Sequence, residues 1–177
     1  MKKFLFVGLF AIFASSLTFA ATQGGNGNGG KNKIGGYIGW PIGLSYSHEF
    51  NDLVELDLVA AFGGAYYYYY TNRLTVHLGA LFTVFDPVIS GLGNQHCPLS
   101  IGPALGVNLN FFSSTVIPGF SILCPIRWEM NFGGVPDFNL FIDASPIGIE
   151  FNFPGGGATK TDFTSRFGVG LRYRIPG

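Results

Sequence analysis

Residues 166–175 read RFGVGLRYRI, and this stretch decides the fold. Phe167, Val169, Leu171, Tyr173 and Ile175 alternate with Arg166, Gly168, Gly170, Arg172 and Arg174. A period of two sends successive side chains to opposite faces of a β-strand, so one face is apolar and the other is either charged or nearly without side chains. Residues 98–111 repeat the pattern, with Leu99, Ile101, Leu105, Val107 and Leu109 against Ser100, Gly102, Ala104, Gly106, Asn108 and Asn110. Residues 74–84 repeat it again, with Val76, Leu78, Ala80 and Phe82 against Thr75, His77, Gly79 and Thr83. No stretch beyond residue 33 carries a helical period of 3.6, so the class is all-β.

Alternation alone does not say which face meets water, because a soluble sandwich or lipocalin uses the same pattern with its apolar side inward. The polar face separates the two cases. It is poor in the Lys and Glu that keep an exposed sheet soluble and rich in Gly, Ser and Asn, which suits a narrow interior, while the aliphatic and aromatic face suits lipid. The whole chain agrees with this, being 47% hydrophobic and 11% charged, with 27 glycines and 19 phenylalanines. Such a composition is too apolar for disorder. The expected fold is a closed antiparallel transmembrane β-barrel of about eight strands in up-and-down order, with a secreted soluble barrel as the alternative.

The first 20 residues read as a signal peptide. Lys2 and Lys3 form the basic start, Phe4 to Phe13 the apolar segment and Ala14 to Ala20 the small-residue cleavage region, with cleavage after Ala20. A retained anchor helix is the competing view, but the apolar run falls short of the ~20 residues a helical span needs. Residues 21–33 are rich in Gly and Asn and are expected to form a flexible leader, leaving 34–177 as the barrel domain. Without Lys2 and Lys3, eight basic residues face ten acidic ones. No basic surface for nucleic acid is implied.

Strand count follows from turn chemistry. Taking residues 34–50 as one strand gives seven, whereas bacterial single-chain barrels close with an even number. Pro41 has no N–H for a central ladder, so the segment is expected to break at Trp40, Pro41 and Ile42, which gives eight. The other connections are expected at Asn51–Asp52, Gly63–Asn72, Asp86–His96, Ser113–Ser114, Gly133–Asp137 and Pro154–Asp162. Eight strands enclose an interior that side chains can fill, so an open channel is not expected. The run Tyr66 to Tyr70 is expected at an outer strand end, as part of an interfacial girdle.

Projected inward, the alternation places Glu55, Asp57, His77, Arg127, Glu129, Asp143, Arg166, Arg172 and Arg174 inside or at the rim. Buried charges must pair, and Arg127 with Asp143 or Asp143 with Arg172 are the expected partners across neighbouring strands. A structural ion-pair network is expected, with an ion- or proton-conducting file as the alternative. Enzyme chemistry finds little support. Ser47, His48 and Glu49 are adjacent on a strand and point to opposite faces, so they cannot form a triad, and no recognisable motif fixes a serine beside His77. His96 falls in a turn. Residues 155–161, GGGATKT, lack the glycine that a phosphate loop requires directly before its lysine. Three histidines and two cysteines show no metal-ligand spacing, and no cofactor is expected. A hairpin centred on Ser113 and Ser114 puts Cys97 near Asn131 and Cys124 near Leu105, too far apart for a disulfide.

The order of TVHLGALF, PLSIGPALGVNLNF, PIRWEMNF, PDFNLFIDASP and FGVGLRYRI resembles a group of small OmpA-like outer-membrane β-barrels of unknown function, chiefly spirochaetal. The resemblance covers roughly Ile34 to Ile175 and rests on order and spacing. Gly170, Tyr173 and Ile175 also resemble the last-strand signal read by the barrel-assembly machinery, although this chain ends in Pro176 and Gly177 in place of an aromatic residue. The resemblance implies a cell outer-membrane protein with outer-membrane lipid and the assembly machinery as partners. It also implies a role in envelope stability or in loop-mediated contact with host extracellular proteins, and it adds no catalytic residue. A narrow channel or small-ligand transporter is the alternative function, and a lipid-modifying outer-membrane enzyme the second alternative.

Overall fold

The computed structural model describes residues 31–175 apart from 64, 67, 68, 71, 113, 114 and 156, and describes residues 65, 66, 69 and 70 by their backbone alone. The expected signal peptide and nearly all of the expected leader therefore lie outside the described residues. The alternating segments form eight main strands: β1 (Asn32–Trp40), β2 (Ile42–Asn51), β3 (Val54–Phe62), β4 (Asn72–Phe85), β5 (Leu99–Ile101 and Ala104–Phe112), β6 (Thr115–Leu123 and Ile126–Asn131), β7 (Phe138–Asn152) and β8 (Lys160–Ile175). Each pairs antiparallel with its neighbour in the chain, and β1 pairs with β8, so the sheet is a ring of eight strands. β1 begins at Asn32, two residues ahead of the expected start, which moves Lys33 out of the leader and into the sheet.

The interruptions in β5 and β6 have a common cause. Pro103 and Pro125 have no N–H to give, so the regular ladder lapses at each, yet their carbonyls accept from Ala80 N (3.0 Å) and Gly102 N (3.2 Å) and hold the register across the gap. Pro146 is accommodated differently, in an irregularity between Ser145 and Gly148 of β7. Pro41 separates β1 from β2 as its chemistry predicts. β8 begins at Lys160, earlier than the expected turn at Pro154–Asp162 allows.

Ring size is set by stagger. Following paired residues from Gly170 through Tyr37, Gly43, Ala61, Thr75, Asn108, Gly119 and Asn152 returns to β8 at Lys160, ten residues from the start. For strands ~4.8 Å apart that rise ~3.4 Å per residue, this stagger corresponds to a tilt of about 40° and a backbone radius of about 8 Å. The interior is accordingly narrow, and paired strands are offset along its axis. Both described termini, the β2–β3 and β6–β7 turns and the 86–98 connection lie at one end. The Trp40–Ile42 turn and the connections after β3, β5 and β7 lie at the other.

Two short hairpins extend the ends. Ala65–Tyr66 pairs with Tyr69–Tyr70, while the tyrosine side chains read as a girdle lie outside the described residues. Val88–Ile89 pairs with Gln95–His96, where His96 Nδ1 lies 2.8 Å from the Asp86 carboxylate, and Gly133 N donates to Leu92 O in the neighbouring connection.

Inside the ring, several glycines are where they are because a side chain from elsewhere already fills the space. A Cβ on Gly170 would be driven into the Phe141 ring, and one on Gly168 into the Tyr37 ring, whereas a Cβ on outward-facing Gly36 meets nothing within 4 Å. We expect Gly170→Ala to destabilise the protein by about 1–3 kcal/mol through overpacking. Gly36→Ala should stay within about 0.5 kcal/mol of the parent. Urea unfolding of the parent and the two variants distinguishes the two outcomes.

Candidate functional site

Inward-facing positions on the eight strands hold the charge of the sheet. All five arginines, Arg73, Arg127, Arg166, Arg172 and Arg174, are buried, as is Lys33. Every one contacts a carboxylate, and the carboxylates they contact are Glu49, Glu55, Asp57, Glu129, Asp143 and Glu150. Six formal positive charges thus meet six negative ones. Glycines at facing positions leave room for rings between the charged layers: Gly106 for the His77 imidazole, Gly168 for Tyr37 and Gly170 for Phe141.

Near the terminal end, the Lys33 ammonium lies 2.6 Å from Glu49, 2.6 Å from Glu55 and 2.7 Å from Glu129. These three glutamates are the cluster among the described residues whose ligand atoms are close enough to share a metal ion, all lying within 4.8 Å of one another. The ammonium sits where such a cation would sit, so the chain supplies its own counter-ion. Arg174 donates to Glu49 at 3.3 Å and to Asn131 Oδ1 at 3.3 Å, closing this end.

Two guanidinium groups cross the middle. Arg127 donates to Asp57 (2.6 Å), Asp143 (2.6 Å) and Glu55 (3.2 Å). Arg172 donates to Ser47 Oγ (2.8 Å), Glu55 (3.2 Å) and Asn139 Oδ1 (2.8 Å), and also pairs with Glu129. The charged planes lie over Phe141, 4.6 Å and 4.5 Å from its centroid, an attraction between cation and ring face that fills the remaining space without adding charge. Tyr37 stacks on Phe141 at 6.2 Å.

Beyond this layer, Arg166 donates to both Asp143 oxygens (3.1 and 2.9 Å) and to His77 Nδ1 (3.2 Å), while His77 Nε2 lies 3.3 Å from Ser121 Oγ. Sequence inspection finds no serine beside His77, because Ser121 reaches it from another strand. An arginine can only donate, so Nδ1 must accept and the imidazole proton resides on Nε2, which donates to the serine. A nucleophilic pair needs the reverse, with Nε2 free to take the serine proton. Nearest the other end, Arg73 pairs with Glu150 at 2.5 Å.

Of the residues expected to form the network, Glu55, Asp57, His77, Arg127, Glu129, Asp143 and Arg172 all face inward and are joined by these contacts. Arg127 with Asp143 is found as expected, but Asp143 with Arg172 is not. Asp143 is directly opposite Gly168, so Arg166 sits two residues away along β8 and Arg172 four, and the nearer arginine takes the carboxylate. Lys33, Glu49, Arg73 and Glu150 were missed. Arg73 and Glu150 obey the alternation of their strands and could have been found by extending it, whereas Lys33 was hidden in a glycine-rich context.

The cysteines are free. Leu123 faces Ala104, so Cys124 falls beside Pro103 and not Leu105 as the sequence suggested, and it is exposed on the outer face. Cys97 is buried, its carbonyl accepting from Trp128 Nε1 at 3.1 Å.

Removing one member of a buried ion network leaves its partners charged and unsatisfied, which costs about 3–5 kcal/mol. Lys33→Met should destabilise by that order, since three carboxylates lose a shared cation. Combining it with Glu129→Gln should restore part of the loss. Unfolding in urea, followed by tryptophan emission, measures both. No protein-family model matches the chain, and comparisons with curated proteins and with solved structures return no match either, so function has to be argued from the ring and its interior.

Proposed function

We propose that this protein is an integral outer-membrane β-barrel whose role is structural or surface-interactive, stabilising the envelope or presenting loops to host or other extracellular proteins. The observation that carries this is the division of charge between the two faces. No Asp, Glu, Lys or Arg occupies an outward position on the described strands. Outward residues are instead large and exposed, with Ile38 at 71% and Leu44 at 64%. An apolar surface wrapping a whole ring far exceeds the few hundred Å² that soluble monomers leave open.

Dimensions agree with a bilayer. The outward residues of β8 run from Phe163 to Tyr173, which at ~3.4 Å per residue and a tilt of about 40° covers about 25 Å, the height of the apolar band on outer-membrane barrels. Exposed aromatic side chains gather at both strand ends. Phe50, Phe85, Phe138 and Tyr173 lie at one end and Trp40, Phe62, Phe111, Phe153 and Phe163 at the other, as interfacial girdles require. Order and spacing of the sequence motifs favour the small OmpA-like outer-membrane group, and insertion by the barrel-assembly machinery follows from the same placement.

The interior favours a plugged barrel over a channel. A conducting file needs a continuous hydrated path, whereas here the charged groups are consumed by one another across the axis. The wiring of His77 toward Ser121 likewise gives no activated nucleophile for lipid chemistry. With the termini on the periplasmic side, the connections after β1, β3, β5 and β7 face outward, and these are the surfaces available to partners.

Gel mobility, one outward substitution, conductance and surface access each test this reading. In an outer-membrane fraction, the unboiled protein should migrate differently from the boiled chain on a denaturing gel. Leu78→Arg, in the middle of an outward face, should cost about 2–4 kcal/mol in lipid and reduce the folded band. Planar bilayers should show no discrete conductance. Reproducible steps abolished by substituting Arg127 or Asp143 would instead favour the channel. Protease or antibody access to residues 155–161 on intact cells tests surface display.

A further inference from the structure

The outer face breaks its own rule in one place. At the terminal end, the outward positions of β3 to β8 hold Val54, Phe85, Leu99, Met130, Phe138 and Ile175, all apolar or aromatic. Among the described residues, β1 and β2 depart from this series with Asn32, Tyr46 and His48. His77 is interior and His96 lies in a connection, so His48 is the histidine that faces outward.

These three side chains are wired together. Asn32 is directly opposite His48 in the β1–β2 ladder, and its Oδ1 accepts from the Tyr46 hydroxyl at 2.8 Å and lies 2.8 Å from His48 Nδ1. A carboxamide oxygen can only accept, so Nδ1 carries a proton and donates it. The imidazole also stands at 78° to the Phe50 ring, with 5.0 Å between centroids, and this contact fixes its plane. What the cluster has left to offer is set by those bonds. The Asn32 amide N–H2 has no partner among the described residues, and Nε2 is on the far edge of the His48 ring. With Nδ1 committed, a proton drawn to the ring by an anion goes to Nε2, and the imidazolium then donates outward while keeping its inner bond.

Holding such a cluster against hydrocarbon is costly unless a polar group meets it. The surroundings say which group. The groups on offer are donors, and exposed Lys31 adds a positive charge beside Asn32, so the complement is an anion. His48 lies two residues inside Phe50 of the girdle, close to the level where headgroups lie. Leu56 is opposite His48 and Leu58 opposite Tyr46, with exposed Leu44 next along β2, so an apolar track leads away from the cluster toward the middle of the ring.

We propose that Asn32 and His48 bind the phosphate of one phospholipid in the leaflet at the terminal end. Its acyl chains follow Leu44, Leu56 and Leu58, and Tyr46 holds the Asn32 carboxamide in place. This site rests on the outer-membrane reading above.

Native mass spectrometry of the protein folded in octyl glucoside, titrated with dilauroylphosphatidylglycerol, should show one lipid retained saturably. Dilauroylglycerol has the same chains without the phosphate and should bind at least tenfold more weakly, and inorganic phosphate should leave no adduct. Asn32→Leu and His48→Phe each remove one donor. Each should weaken binding of the first phosphatidylglycerol about tenfold, the loss of one hydrogen bond to a charged group, while keeping the unboiled gel mobility. No retained phosphatidylglycerol, equal retention of dilauroylglycerol, or saturation by inorganic phosphate alone overturns the proposal. So does undiminished binding by variants that keep that mobility. If neither variant folds, the two lipids compared on the parent protein decide. Fractionation is read separately: a protein absent from outer membranes loses the membrane placement and this site together, whereas one present there that fails the titration loses the site alone.

Discussion

A carboxylate buried in a narrow interior has to find its counter-charge there, and Glu55 finds three: Lys33 from β1, Arg127 from β6 and Arg172 from β8. Everything else about the ring can be traced to that requirement. The cations must reach across the axis, so they are long side chains. The rings packed among them need room as well, so inward positions such as Gly106, Gly168 and Gly170 carry no side chain. Because the interior absorbs the basic residues of the sheet, the outer face is left free of charge. Desolvating so many ions costs far more than any single pair returns, and the arrangement is tolerable only because each group has several partners.

Balance also explains the aromatic pair at the centre. Phe141 packs against two guanidinium groups that repel one another, and its ring attracts both without a formal charge. Another carboxylate there would disturb the match of six against six, and an aliphatic side chain would leave the cations less well solvated. Toward the end away from the termini the density of ion pairs falls, and Arg73 with Glu150 is the pair found there.

Much of this fold is legible in the sequence because a period of two survives translation into structure. β4, β5 and β8 show their inner and outer faces in one dimension, and Pro41 marks a turn because it has no N–H. What is not legible is whatever depends on stagger. The offset between strands decides that Asp143 meets Arg166 and that Ser121 reaches His77 from across β5. No local pattern encodes that offset. Lys33 escaped for another reason. It follows a run of Gly and Asn that is indistinguishable in composition from a linker, and only its partners on β2, β3 and β6 identify it as interior.

The same contacts carry a consequence for the order of assembly. Lys33 and Glu129 are 96 residues apart, Arg172 and Glu55 are 117 apart, and Arg172 and Ser47 are 125 apart. A hairpin of neighbouring strands neutralises only part of its inner face, as Arg127 with Asp143 does on β6 and β7. β1 and β8 bring Lys33, Arg166, Arg172 and Arg174, and they meet only when the ring closes. A partial sheet would carry stranded carboxylates on its inner face. Joining the two edges of the sheet and neutralising its interior are therefore one event, completed when β1 meets β8.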